Sequence, residues 1–356
     1  MIKKIILSLA LFSCISFSNE QSDTRKRKEV IFCLDLSGST NGLINDIRDN
    51  LWRFINYSVK TNPGTDLRIG IVLYGRPSFG AENNYVKILS DLTDNYDYLS
   101  QELARLKPNI EAGEQRLPSA IFAACKNISW SPGMSSKKMI FIFGNGLIPT
   151  TNSNFIKAIR IAEEKNIVIN PVYCVQKNVI VRELHGYKTM ADRTGGIFNM
   201  FSLSHRTPLT NMSENALRFK KLNQNLNDTY IYCSKDGSER YNMMLNADRD
   251  NLSTNEQFVY SRCVYKISEQ YQRKCASWDL ISLMKIITPD FLSLNQSYMP
   301  KDFQELSPQE IYEAAMRTRQ HRNKIISDMG SFYSKLNIND TLCVNPIDTI
   351  VFAQLR

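Results

Sequence analysis

The sequence predicts an α/β fold: a doubly wound, mostly parallel six-stranded sheet followed by a C-terminal region that is α+β or mainly helical. Two observations carry the prediction. Between Val30 and Phe201, apolar runs of strand length alternate with segments whose apolar residues recur every three to four positions, the pattern of strand–helix units laid side by side. The first run, Val30-Ile31-Phe32-Cys33-Leu34, stops on Asp35-Leu36-Ser37-Gly38-Ser39-Thr40, as a buried strand does when its C-terminal end opens into a polar loop.

The elements follow in order. Leu43, Ile47, Leu51, Phe54, Ile55 and Val59 recur at helical spacing, so 43–59 reads as an amphipathic helix, closed by Asn62-Pro63-Gly64. Leu67 to Tyr74 is a second apolar strand. The loop Gly75-Arg76-Pro77-Ser78-Phe79-Gly80 leads to a short strand at 85–89. Helices are expected from Asp94 to about Leu106 and over 117–128, then a near-continuous apolar strand over 138–143 that ends on Gly144-Asn145-Gly146. A helix at 154–165, a strand at 167–175 and a helix at 181–194 follow. Gly195-Gly196 then precedes a last strand at 197–201.

The Asp35 loop has the chemistry of a cation site. Alternation in Asp-x-Ser-x-Ser brings one carboxylate and two hydroxyl oxygens to one side of a tight turn, with Gly38 letting the backbone close, and hard oxygen ligands suit Mg²⁺, Mn²⁺ or Ca²⁺. The plainer alternative is a Ser/Gly turn with an Asx-type cap and no metal.

Taken together, these residues resemble a von Willebrand factor A (VWA) domain over roughly residues 29–202. Asp35-Leu36-Ser37-Gly38-Ser39 matches that family's metal-ion-dependent adhesion site. Phe141-Ile142-Phe143-Gly144-Asn145-Gly146 matches a strand end where the family has Asp-Gly, and Thr194-Gly195-Gly196-Ile197-Phe198 matches the approach to its last strand. The resemblance implies strand order 3-2-1-4-5-6 with only the third strand antiparallel, which places the Asp35 and Asn145 loops side by side at the switch point. It further implies Asp35, Ser37 and Ser39 as metal ligands, with Asn145 in place of the family's Asp and Glu114 nearest the place of its Thr, and Mg²⁺ (or Mn²⁺ or Ca²⁺) as the ion unless the site has lost it. Asn145 is open to the alternative of a turn residue, and Glu114 to that of a solvated loop acid. The antiparallel third strand puts Arg76, Phe79 and Tyr85 on the same upper face, as rim residues or as the shape of a wide hairpin turn.

Composition and termini bound the setting. At 356 residues and 43% apolar, the chain is long enough for two domains and rules out a mostly disordered polymer. Met1-Ile2-Lys3-Lys4 followed by an apolar 5–12 and small residues reads as an export signal over 1–18, and Leu11-Phe12-Ser13-Cys14 resembles a lipobox that would anchor lipid at Cys14. The expected location is therefore the periplasm, the cell envelope or outside the cell. Net charge is +9, spread evenly along the chain apart from Arg25-Lys26-Arg27-Lys28, which fits a basic linker over 19–28; nucleic acid is not an expected partner. Cys33, Cys125 and Cys174 sit in apolar runs as buried thiols, whereas Cys233, Cys263, Cys275 and Cys343 could form two disulfides.

Beyond a connector at 203–226, the region 227–356 shows no motif. Asn227 to Cys233 and Glu256 to Tyr265 read as strand-like aromatic runs. Ser307-Pro308-Gln309-Glu310 is a capping box that starts a helix reaching about Leu336, with Arg317, Arg319, Arg322 and Lys324 mainly on its wet face.

Three functions compete. The first is an exported adhesion module that binds a partner protein's carboxylate through a divalent cation. The second is a metal-free VWA scaffold of the cell envelope. The third, a phosphotransferase-type enzyme, is weaker: a helix follows the Asp35 turn where actin-like ATPases have a hairpin, and Ser37 stands where aspartyl-phosphate hydrolases need a second Asp.

Overall fold

Strand β1 (Arg27–Asp35) lies at the centre of the sheet because both of its faces are apolar: Val30, Phe32 and Leu34 point one way, Ile31 and Cys33 the other, and all are buried. In this computed structural model, residues 26–40, 43–106, 116–203, 212–251, 256–336 and 346–356 are described. The expected export signal, Cys14, Glu114 and Cys343 lie outside them.

The chain continues through α1 (Leu43–Thr61), β2 (Asp66–Tyr74), β3 (Val86–Thr93), α2 (Tyr96–Arg105), α3 (Leu117–Lys126), β4 (Ser136–Gly144), α4 (Ser153–Glu164), β5 (Ile167–Val175), α5 (Leu184–Thr194) and β6 (Asn199–Ser202). The sheet order is β3-β2-β1-β4-β5-β6, and β2–β3 is the antiparallel pair while β1 runs parallel to both β2 and β4. This is the order and direction that the VWA resemblance implied. Helices α3, α4 and α5 cover one face, where Ile121, Ala124, Phe155, Ile159 and Met190 meet Ile31 and Cys33.

The other face is covered twice. Against β1 sits α1, and over α1 lies the second half of the chain: α6 (Glu214–Asn227), α7 (Gly237–Asn251), α8 (Glu256–Ile267), α9 (Glu269–Cys275), α10 (Leu280–Leu283), α11 (Lys301–Gln304), α12 (Pro308–Lys335) and α13 (Pro346–Leu355). Several polar positions of α1, Asn50, Arg53, Asn56 and Ser58, are therefore buried and not wet. Arg53 Nη2 pairs with Asp348 of α13 at 3.0 Å, and Asn56 Nδ2 donates to the Ser261 carbonyl of α8 at 2.8 Å. One apolar core runs from Phe32 through Phe54 to Phe352, so the helical half is packed into the sheet domain's own core.

Several expectations are corrected here. The Glu256–Tyr265 run is the helix α8, and residues 214–226, expected within a connector, belong with Asn227 to α6, whose Ala216, Phe219 and Leu226 are buried. Arg27 and Lys28 belong to β1, not to a solvated linker: Lys28 Nζ donates to the Leu355 carbonyl at 2.5 Å, and Lys137 Nζ to that of Gln354 at 2.7 Å. Two cations thus satisfy the open carbonyls at the end of α13. Arg322 is fully buried. Cys233, Cys263 and Cys275 are free thiols, as are Cys33, Cys125 and Cys174, the last three buried as expected.

The capping box of α12 is present: Ser307 Oγ accepts from Glu310 N at 3.3 Å and Ser307 N donates to Glu310 Oε2 at 2.7 Å. Replacing Ser307 by Ala is expected to lower stability by about 1 kcal/mol, read from urea unfolding midpoints, since it orphans one donor of the first turn.

Candidate functional site

The end of β1 is closed in by glycines. Gly75 follows β2 with φ +91°, and a Cβ there would stand 2.8 Å from Asp35 Oδ1; at Gly144 one would stand 2.1 Å from the Tyr74 hydroxyl and 3.2 Å from Asp35 Cβ. Neither position accepts a side chain, which is why the neighbouring strands can end so tightly around one carboxylate.

Within the loop, Ser37 N donates to Asp35 Oδ1 at 2.8 Å, and Thr40 Oγ1 donates to the Asp35 carbonyl at 2.8 Å, pinning a short 3₁₀ turn over Gly38–Thr40. Leu36 N donates to the Tyr74 carbonyl at 2.9 Å. From β4, the Asn145 backbone also bonds the Asp35 carboxylate, while its side-chain Nδ2 donates to the Cys174 carbonyl at 3.3 Å. The Asp35 and Asn145 loops therefore meet at the switch point, as the strand order requires.

The structure brings Asp35, Ser37 and Asn145 together. The side chain of Ser39 and the whole of Glu114 are not among the described residues. Asp35 is 1% and Ser37 6% exposed, so they form a floor and not a rim. Of the three rim candidates, Arg76 is buried, with Nε donating to the Leu36 carbonyl at 3.2 Å, Phe79 is half-buried against the core, and Tyr85 lies 4.9 Å under the Arg116 guanidinium.

Two residues were missed by sequence reasoning. Thr40 holds the turn through its hydroxyl. Glu183, just before α5, accepts from Gly146 N and from the Tyr173 hydroxyl, both at 2.8 Å, and so ties the β4 loop to the β5 side. The hydroxyl of Thr40 stood in the Asp35 stretch as a signal; nothing in the sequence around Glu183 marked it.

Burial pushes the Asp35 carboxyl up to about 6, against hydrogen bonds from Ser37, Thr40 and Asn145 that favour its charged form. Every one of these partners is neutral, and among the described residues no group of three or more His, Cys, Asp or Glu side chains gathers to hold a metal. A desolvated carboxylate bonded only to neutral groups, next to the Ser37 hydroxyl, supplies one charged and one neutral oxygen, so a hard divalent ion held there would keep most of its own waters.

Around this floor the upper loops are apolar and exposed: Leu147 after β4, and Val179, Ile180 and Val181 after β5, the last 78% exposed and flanked by exposed Lys177 and Arg182.

No protein-family model and no curated protein matches the sequence. Among solved structures the chain is similar to the SpRpn10 VWA domain, at 15% identity and TM-score 0.37, over 50% of this chain and 90% of that one. It is also similar to a von Willebrand factor type A protein from Catenulispora acidiphila, at 14% identity and TM-score 0.36, over 50% of this chain and 39% of that one. Strand order, strand direction and the Asp-x-Ser-x-Ser loop at the switch point define the class: a VWA-type sheet, here with a helical layer built onto it.

Proposed function

We propose that the protein is an interaction module that holds a divalent cation, Mg²⁺ or else Mn²⁺ or Ca²⁺, at the switch-point crevice and presents it to an acidic side chain of a partner protein. The observation that carries this reading is the buried Asp35 carboxylate, bonded only to neutral groups, in the crevice where open α/β sheets take their ligands. Asp35, Ser37 and Ser39 would hold the ion, with Asn145 and Glu114 as further oxygen donors. The ion would supply an electrophilic centre for an incoming carboxylate. The chain's own residues set the rest: Thr40 fixes the turn, Gly75 and Gly144 admit the neighbouring strand ends, and Glu183 holds the Asn145 loop in place. Leu147 and Val179 to Val181 give a partner apolar surface beside the charged contact.

The same proposal places the protein outside the cytoplasm, because its first 18 residues have the make-up of an export signal, with Cys14 as a lipid anchor in the lipoprotein form of that signal. A metal-free scaffold using the same face is the second reading. It is favoured by Arg76, a guanidinium buried on the carbonyl of Leu36 within the loop itself, and by Asn145 where an acid would add charge.

Calorimetric titration with Mg²⁺ and Mn²⁺ separates the two. Heat from the wild type and none from Asp35→Ala is the expected result; flat traces from both leave the scaffold. Pull-down of envelope proteins in Mg²⁺ against EDTA then tests whether partner capture follows the ion.

A further inference from the structure

Along the sequence the excess positive charge is evenly spread, but the fold gathers it at one end of the sheet. Strand β1 enters at Arg27, in register with Asp66 of β2 and Ser136 of β4, and leaves at Asp35 at the opposite end. Helices α1, α3 and α4 finish at the end where β2, β4 and β5 begin. Their closing cations Lys60, Lys126 and Lys165 therefore arrive beside Lys28, Lys137 and Lys138, which open β1 and β4.

The contacts of these groups leave their charge in place. Lys28 and Lys137 sit on the carbonyls of α13, Lys138 Nζ donates to the Gly133 carbonyl at 2.8 Å, and Lys165 Nζ donates to that of Cys125 at 3.0 Å. Four ammonium groups thus rest on neutral backbone oxygens, while Lys26, Lys60 and Lys126 are exposed. Two acids of this end are matched: Glu29 is buried against Arg68 at 2.8 Å, and Glu163 pairs with Arg193 at 2.7 Å. Asp66 and Glu164 subtract from the charge, and Asp91 and Asp94 lie out toward β3, so the positive face is centred on β1 and β4.

The same end carries an apolar tip. Between α3 and β4 the turn Pro132-Gly133-Met134-Ser135 is exposed throughout, and Met134 is 83% exposed. A lipid interface accepts both features, since anionic headgroups meet the ammonium groups and the thioether enters the boundary beneath them. Nucleic-acid phosphates would meet the same cations but leave the methionine in water. Residues 1–25 also lead into Lys26 at this end, so an export signal or a lipid on Cys14 would be tethered to this face and not to the Asp35 end. One acyl chain alone holds a protein only reversibly, and a basic patch is the second signal that makes anchoring stable.

We infer that this face docks on a membrane surface rich in anionic phospholipid, with Met134 in the headgroup layer. The nine residues of β1 span about 30 Å, so a chain docked in this way holds the Asp35 crevice that far out, toward partners. The face and the crevice share no residue, so vesicle binding and cation binding succeed or fail separately.

The test is co-sedimentation of the full chain with vesicles of phosphatidylcholine alone and with vesicles containing about one-third phosphatidylglycerol. Binding to the anionic vesicles should be at least about tenfold stronger, and the difference should vanish in about 0.5 M salt. Each cation near such a surface contributes about fivefold, so Lys26→Gln, Lys60→Gln and Lys126→Gln combined should weaken binding about a hundredfold. Met134→Asp should weaken it about tenfold, with a thermal midpoint near that of the wild type because the side chain is in water. The same exchange to Gln at Lys177 and Arg182, which follow β5 at the Asp35 end, should leave it unmoved. Equal binding to both vesicle types overturns the inference, as does loss of binding through Lys177 and Arg182, binding untouched by the three lysine changes, or displacement from the vesicles by a short DNA duplex at equal phosphate.

Discussion

Arg322→Ala is expected to cost about 3–5 kcal/mol, a large fraction of the roughly 5–15 kcal/mol by which a native chain is stable. The guanidinium is fully buried within the helical layer. Nη1 and Nη2 fork onto Asp279 at 2.5 and 3.1 Å, Nε donates to Thr229 Oγ1 at 2.9 Å and Nη2 to the Thr229 carbonyl at 2.5 Å, while the plane lies 4.2 Å from the centre of the Tyr230 ring. Truncation leaves the Asp279 carboxylate buried without its cation. That carboxylate cannot simply be lost as well, because it also accepts from Ile231 N and from Ser282 N, fixing the turn before α10. Asp279→Leu with Arg322→Leu should therefore recover only part of the loss. Arg322→Lys keeps the charge but offers no fork, and should fall between the two. Urea unfolding followed by far-UV circular dichroism checks the series; a loss below about 1 kcal/mol for Arg322→Ala would mean that the pair contributes little.

The position of Arg322 also shows where sequence reasoning stops. On α12 the capping box locates the helix, and Ile311, Ala315, Ile325 and Met329 form its buried stripe, yet nothing in a helical period separates a cation facing water from one facing a buried acid more than forty residues away. The same blindness affects α8. Residues Phe258 to Cys263 are all buried, so the helix lacks a wet face and its 3.6-residue period disappears, leaving the aromatic and β-branched content to suggest a strand. Its charges are paired inside: Lys266 Nζ lies 2.7 Å from Asp248 and Arg262 Nε 2.9 Å, and against the burial that raises it, those two cations hold the Asp248 carboxyl well below the usual carboxylate range. The sheet domain was legible because its strands are continuously apolar and its helices are covered on one side only, as in α4. Helix α1 shows the boundary between the two cases. Its apolar stripe identified it, but the burial of Arg53 and Asn56 depends on helices that arrive more than 200 residues later.

At the candidate site, Asp35 and Ser37 were legible because a strand end fixes which side chains reach the loop, and Asn145 because the family pattern located its strand end. Glu183 was not, because its role is to accept from a backbone N–H of another loop, a pairing that depends on the β4 and β5 ends being neighbours.

Asp35→Asn is expected to stabilise the protein in EDTA at neutral pH, by up to about 3 kcal/mol. The carboxyl has an ordinary value of 3.8 and is pushed up to about 6 by burial in the folded chain. Between those values the folded state keeps a proton that the unfolded state has released, so wild-type stability falls as pH rises from about 4 through 6; a displacement of roughly two pK units corresponds to about 3 kcal/mol. Above that range the folded protein carries a buried charge opposed only by neutral donors. Asn keeps one oxygen to accept from Ser37 N and removes the charge, while its NH2 replaces the second acceptor oxygen and faces a donor, which is why about 3 kcal/mol is an upper bound. The variant and the wild type should therefore have similar urea midpoints near pH 4, and the variant should pull ahead through pH 6 to 7.5. Added Mg²⁺ should close the gap from the wild-type side, since an ion bound to folded Asp35 and not to the unfolded chain stabilises by mass action. A variant less stable than wild type in EDTA at pH 7.5 would show that the carboxylate is already compensated, and would remove the physical ground for a cation in the crevice.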